Sequence, residues 1–147
     1  MGIITQLGKL SYCIPLTSAK ERQLGWSNVT EHNYIIYENV KITKILSKDI
    51  YKRIGNSDMC KKLLSILEIR KMIPINGEVC KYIDFSSELD INYKNLLEKE
   101  YKFLKPIRND ILRKAINLYY KQINTNIIKP CYCNFKLLEN LLSVYRT

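Results

Sequence analysis

The stretch 88–123 constrains the fold most, because it repeats apolar residues at helical spacing on both sides of Lys105-Pro106. Tyr93, Leu96, Leu97, Tyr101 and Leu104 fall on one side of a helix over 91–104. Asp90 is placed to cap it, since a short carboxylate accepts from the free amides of a first turn. Lys105 precedes a proline and is pushed away from α geometry, which ends the helix. Pro106 then suits the first turn of a second helix. There Ile107, Ile111, Leu112, Ala115, Ile116, Tyr119 and Ile123 share one face, with Arg113, Lys114, Asn117 and Lys121 on the other. This periodicity turns Tyr93, Tyr101 and Tyr119 inward and leaves the cations outside.

The rest of the chain supplies candidate partners for these helices. Residues 1–16 are apolar with little periodicity, and they read as an edge strand or a docking arm. The segment 17–30 is polar, contains the only tryptophan, Trp26, and reads as a loop with Trp26 as its anchor. Residues 34–46 are β-branched and aromatic, and Val40 and Ile42 alternate with Lys41 and Thr43 as in a half-buried strand. Lys48, Lys52 and Arg53 suggest a short helix or turn ending near Gly55. Ser57 is a candidate cap for a helix over 58–70, with Met59, Leu63, Ile66, Leu67 and Ile69 buried. Asn76-Gly77 signals a hairpin joining 72–75 to 79–85, and Pro74 makes the first of these an edge strand. Asn134 can cap a last helix over 135–145, with Leu137, Leu138, Leu141, Leu142 and Tyr145 apolar. The expected fold is α+β: a small, mostly antiparallel sheet packed against three to four helices. It forms one globular domain over 17–147, preceded by the arm 1–16.

Charge narrows the partners. The net charge is +10, and residues 1–40 contribute three basic and three acidic side chains, so the whole surplus lies beyond residue 40. Such a surplus favours a polyanion, either nucleic acid or an anionic lipid surface. A protein partner or a second copy of the chain is also open, and no small-molecule substrate is evident. The expected anion-binding side chains are Lys61, Lys62, Lys102, Lys105, Arg108, Arg113, Lys114 and Lys121. Gly2, Ile3, Ile4 and Leu7 form the expected membrane or partner arm. Gly2 only approximates a myristoylation signal, because Gln6 stands where Ser or Thr is wanted. The five cysteines are odd in number and no signal peptide precedes them, which indicates reduced thiols in the cytoplasm.

Catalytic signals are sparse. His32 is the only histidine, and a general base needs a nucleophile and an orienting group converging on it. It is expected on a surface loop. Glu98 and Glu100, two apart among lysines, read as solvated ion-pair partners. Cys131-x-Cys133 would put both thiols on one side of a strand, but zinc wants four ligands and wider spacing, so no metal and no cofactor are expected. An apolar arm, a basic body and no catalytic motif is the plan of small virion matrix proteins. The leading expectation is therefore a non-enzymatic structural or accessory protein, viral and matrix-like, at the inner face of a membrane or in a virion. The alternative is a nucleic-acid-binding protein without sequence preference. An enzyme ranks third, and it would need a polar pocket around His32 or around Cys131 and Cys133.

Overall fold

A computed structural model describes residues 2–76 and 85–145. Six antiparallel strands dominate it: β1 (Gly2–Leu7), β2 (Leu10–Ser18), β3 (Asn33–Lys41), β4 (Tyr51–Arg53), β5 (Met59–Glu68) and β6 (Ile73–Ile75). The main path runs β1-β2-β5-β3, with β4 added to β5 and β6 added to β2. Both long inner strands change partners along their length, which curls the sheet. Cys13 of β2 lies opposite Ile4 and Ile73, whereas Leu16 to Ser18 lie opposite Leu67 to Ser65 of β5. A register shift at Ile36/Tyr37 in the β3–β5 ladder adds to the twist.

The helices are fewer than expected and the sheet is larger. Helix α1 (Ile91–Leu104) continues through the 3-10 turn Lys105–Ile107 into α2 (Arg108–Thr125), making one long helical run. One short helix follows, α3 (Phe135–Tyr145). The expectation of a small sheet under three to four helices is thus corrected, above all at 58–70. That segment is β5, the strand that pairs with β2, β3 and β4. Its residues Ser65 to Ile69 are all buried, because the sheet is covered on both faces there. That stretch mixes Ser65 and Glu68 with apolar residues, shows no clear alternation, and so fits a buried strand as well as a helix. Ser57 is also used differently. Its hydroxyl donates to the Ile54 carbonyl at 2.6 Å and accepts from the Met59 amide at 3.2 Å, closing a β4–β5 turn. Gly55 sits in that turn at φ 56°, a left-handed geometry that glycine adopts without a Cβ clash.

The main core lies between one sheet face and the helices. Tyr12, Ile14, Tyr34, Ile36, Leu67, Ile69 and Met72 meet Leu104, Ile111, Ala115 and Phe135. On the opposite face Ile35, Leu63 and Ile66 pack under Ala19, Leu24, Trp26 and Ile50. The arm residues belong to this body. Leu7 is buried, Ile3 packs on the main core, and a Cβ at Gly2 would collide with the Ile14 carbonyl and Cys13 Sγ. The hairpin expected at Asn76-Gly77 and the strand 79–85 lie outside the described residues, apart from Asn76 and the 3-10 turn that begins at Phe85.

Asp90 caps α1 by accepting from the amides of Asn92 at 3.0 Å and Tyr93 at 3.2 Å. Asp90→Ala is expected to cost about 1 kcal/mol in urea unfolding, and an unchanged midpoint would contradict that role. The buried side of α1 is Leu97, Glu100 and Leu104. Tyr93 and Tyr101, expected inside, are 43% and 52% exposed. Glu100, expected in solvent, is only 3% exposed, and burial raises its carboxyl above the usual range.

A candidate nucleic-acid interface on the 26–33 loop

The polar segment after β2 carries Trp26, Asn28, Thr30 and His32 across the end of the sheet. Strand pairing fixes its far end, since the Ile35 amide donates to the Asn28 carbonyl at 2.8 Å and Thr30 N donates to the Asn33 carbonyl at 3.0 Å. Thr30 organises the loop further. Its hydroxyl accepts from the amides of His32 at 3.2 Å and Asn33 at 3.1 Å, and it donates to Asn33 Oδ1. The His32 Nδ1 lies 3.3 Å from the same hydroxyl. The contact fixes where the ring sits, and the tautomer decides which of the two atoms donates.

Residues from three other parts of the chain converge on this imidazole. The 3-10 turn Ile69–Lys71 joins β5 to β6, and the His32 carbonyl receives the Ile69 amide at 2.9 Å. From that turn, Arg70 sits 5.9 Å from the centre of the Trp26 ring. Its Nη2 lies 3.4 Å from Glu68 Oε1, while its Nε is buried with no acceptor among the described residues. Lys71 lies 3.3 Å from Glu68 Oε2, and Thr17 Oγ1 donates to the same oxygen at 3.5 Å. The segment between α2 and α3 closes the other side. The Arg70 carbonyl accepts from Cys133 N at 3.0 Å. Tyr132 meets His32 edge to face at 6.0 Å, and Lys129 stands 6.0 Å over the Tyr132 ring. Cys131 turns this segment with φ 68°, a left-handed conformation uncommon outside glycine.

The electrostatics follow from this packing. Burial lowers the basicity of His32 below the ordinary histidine value, the positive charges of Arg70 and Lys129 lower it further, and Glu68 opposes them. The imidazole is therefore neutral near pH 7. Burial also raises the Tyr132 phenol and the Cys133 thiol, so both stay protonated. Cys131 and Cys133 flank a turn instead of sharing a strand face, and among the described residues no three potential metal ligands gather.

The expected anion-binding side chains scatter. Lys61 donates to Asn28 Oδ1 and lies 4.7 Å over the Tyr37 ring, so it borders the loop. Lys62 is engaged by Asp49 at 3.5 Å, and Arg113 by Asp110 at 2.8 Å. Lys102 and Lys105 line an open depression with Glu98, Tyr101 and Pro106 at the bend of the helical run. Arg108 and Lys121 are exposed. Lys114, expected outside, is buried and donates to the Thr30 carbonyl. The sequence reading overlooked Thr17, Glu68, Arg70, Lys71, Lys129 and Tyr132. The available signal was the chain's only tryptophan and only histidine, six residues apart in one polar stretch.

Fold and cluster together define a basic, sheet-dominated α+β protein that gathers cations and aromatic rings around one neutral imidazole. The chain belongs to the ToxN toxin family of type III toxin-antitoxin systems, whose family model matches residues 1–143. A curated relative, endoribonuclease ToxN of Bacillus thuringiensis subsp. kurstaki, is 24% identical over 156 residues, spanning 99% of this chain and 68% of that protein. A chain from a solved structure on selective toxin inhibition by a non-coding RNA pseudoknot superposes with a TM-score of 0.62 at 25% identity, covering 99% of this chain and 77% of the other. A chain from a structure on a processed non-coding RNA that regulates a bacterial antiviral system gives 0.64 at 18% identity, covering 92% and 71%. The second match speaks to the fold alone.

Family membership corrects the expectation of a viral, matrix-like structural protein, and a relative that is an endoribonuclease corrects the expectation of a non-enzymatic one. The confusion has a physical source, since a cationic surplus attracts lipid headgroups and RNA phosphates alike. Among the described residues no helix is long and apolar enough to cross a membrane.

Proposed function

We propose that this chain is an endoribonuclease that cuts RNA at the 26–33 loop, and that an RNA antitoxin restrains it by covering the same cationic surface. The observation that carries the reading is the neutral His32 imidazole held among Arg70, Lys129, Trp26 and Tyr132, in a chain whose relative is an endoribonuclease. Each group has a role in strand cleavage. Arg70, Lys71 and Lys129 attract the phosphodiester, and the buried Arg70 Nε is a donor with no acceptor among the described residues. The Trp26 and Tyr132 rings offer faces for bases, a contact that single strands use without sequence preference. The Glu68 carboxylate is occupied by Arg70, Lys71 and Thr17. The neutral His32 imidazole is thus the base for the ribose 2′-hydroxyl. The alkoxide attacks the adjacent phosphorus, and the 5′-oxygen departs with a proton returned through solvent.

The test is to incubate the purified chain with a single-stranded RNA and with the same RNA carrying 2′-deoxyribose throughout. Cleavage of the first alone supports the mechanism, and cleavage of neither at low salt removes it. Binding without cleavage would favour the plain nucleic-acid-binding reading. Arg70→Gln and Lys129→Gln are each expected to weaken binding of the uncleavable strand and to lower the slope of log K against log salt by about 0.7. An unchanged slope in both would place the phosphate contacts elsewhere.

A further inference from the structure

We propose that Lys114 is a positioning residue: through the Thr30 carbonyl its buried ammonium fixes the loop that presents His32. This rests on the reading of that loop as the cleaving element. Lysine is almost never fully buried unless paired, yet the Lys114 side chain is only 4% exposed. Its shortest polar contact is a neutral one, the Thr30 carbonyl at 2.9 Å, made across 84 residues of chain. Asp110 follows at 3.4 Å but is itself held by Arg113 at 2.8 Å, and the Tyr34 ring lies 4.3 Å away. A leucine or methionine would fill this space between α2 and β3 without the desolvation that a buried cation suffers. What an apolar residue cannot supply is a bond to one backbone oxygen of an otherwise irregular loop.

That oxygen belongs to the residue that also aims the imidazole. The Thr30 hydroxyl holds the His32 amide and lies 3.3 Å from Nδ1, so the chain of contacts runs from Lys114 to Thr30 to the ring. The loop has its own hydrogen bonds within 28–35, but Lys114 is the group that ties Thr30 to the helical run. Without it the ring gains solvent and loses its fixed direction. The charged and titratable groups around the ring are Arg70, Lys129, Glu68 and Tyr132, with Glu31 next in sequence and facing Arg113 of α2.

The experiment compares the full chain with Lys114→Met and Lys114→Arg. His32 is the only histidine, so its ring signals in an NMR titration are unambiguous. Lys114→Met is expected to lower kcat about tenfold or more while KM changes less than about threefold, because orientation suffers before binding does. The His32 midpoint should rise toward the ordinary histidine value as the ring becomes solvated. Lys114→Arg, which keeps a buried donor, should restore most of both. A residue needed only for packing would lower the melting temperature and leave the His32 midpoint where it was. Wild-type kcat and midpoint in Lys114→Met overturn the proposal. Should that variant not fold, Thr30→Val removes the hydroxyl and keeps the carbonyl, and it must then show the same loss of kcat and the same rise in midpoint. A wild-type chain that cuts no RNA sinks the catalytic reading, and the titration still decides whether Lys114 holds the ring.

Discussion

His32→Gln is expected to lower RNA cleavage by roughly 10²- to 10⁴-fold, the usual contribution of a positioned general base. Glutamine keeps a polar side chain of similar reach but cannot take a proton at neutral pH. Binding of an uncleavable 2′-deoxy strand should change little, because Arg70, Lys71 and Lys129 remain. Cleavage within a few-fold of wild type in a folded His32→Gln protein would assign the base elsewhere. The pH dependence gives a second check on the same residue. Burial and two neighbouring cations hold the imidazole of the free protein below the ordinary histidine value of 6.5, so the acid limb of kcat/KM should have its midpoint below that value. The same shift acts on stability with a definite sign. The unfolded chain takes up the proton more readily than the folded one, so stability is fully present above the unfolded value and falls as pH drops through the folded one.

Local signals in the sequence were legible where a local interaction decides the outcome. Asp90 caps α1, and the Asn134 side chain accepts the Leu137 amide at 3.1 Å at the start of α3. Pro106 misled in part: Lys105, expected to leave α geometry and end the helix, keeps it at φ -54° and ψ -48°, and the proline marks only a 3-10 turn in a continuous run. Errors arose where the packing partner decides. Ser57 has the chemistry of a helix cap, but the same hydroxyl closes the β4–β5 turn just as well. The run 65–69 lost its alternation because both of its faces are covered. Tyr93 and Tyr101 have core spacing, yet nothing in a periodic pattern says how far along a helix the sheet extends. Glu100 and Lys114 mislead for a related reason, since charge predicts exposure only on average and each is buried here against a particular partner element.

The candidate site was less visible than the fold because it is assembled from long-range neighbours. Thr17, His32, the Glu68–Arg70 pair and Tyr132 come from four separate places in the sequence, and no spacing rule joins those places. The sequence did show a basic and aromatic protein, and those cations and rings are what a nucleic acid requires. It placed them on the helices because helical periodicity is easy to read, while a polar loop without period carries no such signature.

Phe135→Ala should have the largest effect on stability, about 3–5 kcal/mol, measured by urea unfolding. The ring is fully buried where α3 meets the sheet and α2. It stands edge to face on Tyr12 at 6.1 Å and stacks on Tyr119 at 5.9 Å. Both tyrosine hydroxyls donate to Glu139 of α3, at 2.7 Å from Tyr12 and 2.6 Å from Tyr119, so the cavity would loosen the polar clamp beside it. The start of α3 is tied down at the same point, where the Phe135 amide donates to Gln122 Oε1 at 2.8 Å and Gln122 Nε2 donates to the Cys133 carbonyl at 2.8 Å. Those bonds hold the segment that carries Lys129 and Tyr132 against His32. Phe135→Leu, which refills much of the space, should recover most of the stability. If the alanine variant remains folded at low temperature, it should also bind single-stranded RNA more weakly than wild type, although residue 135 is buried away from solvent. Weakened binding that tracks the loss of α3 packing would show that the cationic surface depends on this helix. Full binding in a destabilised Phe135→Ala protein would show that the backbone bonds of Cys133 to Arg70 and Gln122 hold the 129–133 segment without the Phe135 ring.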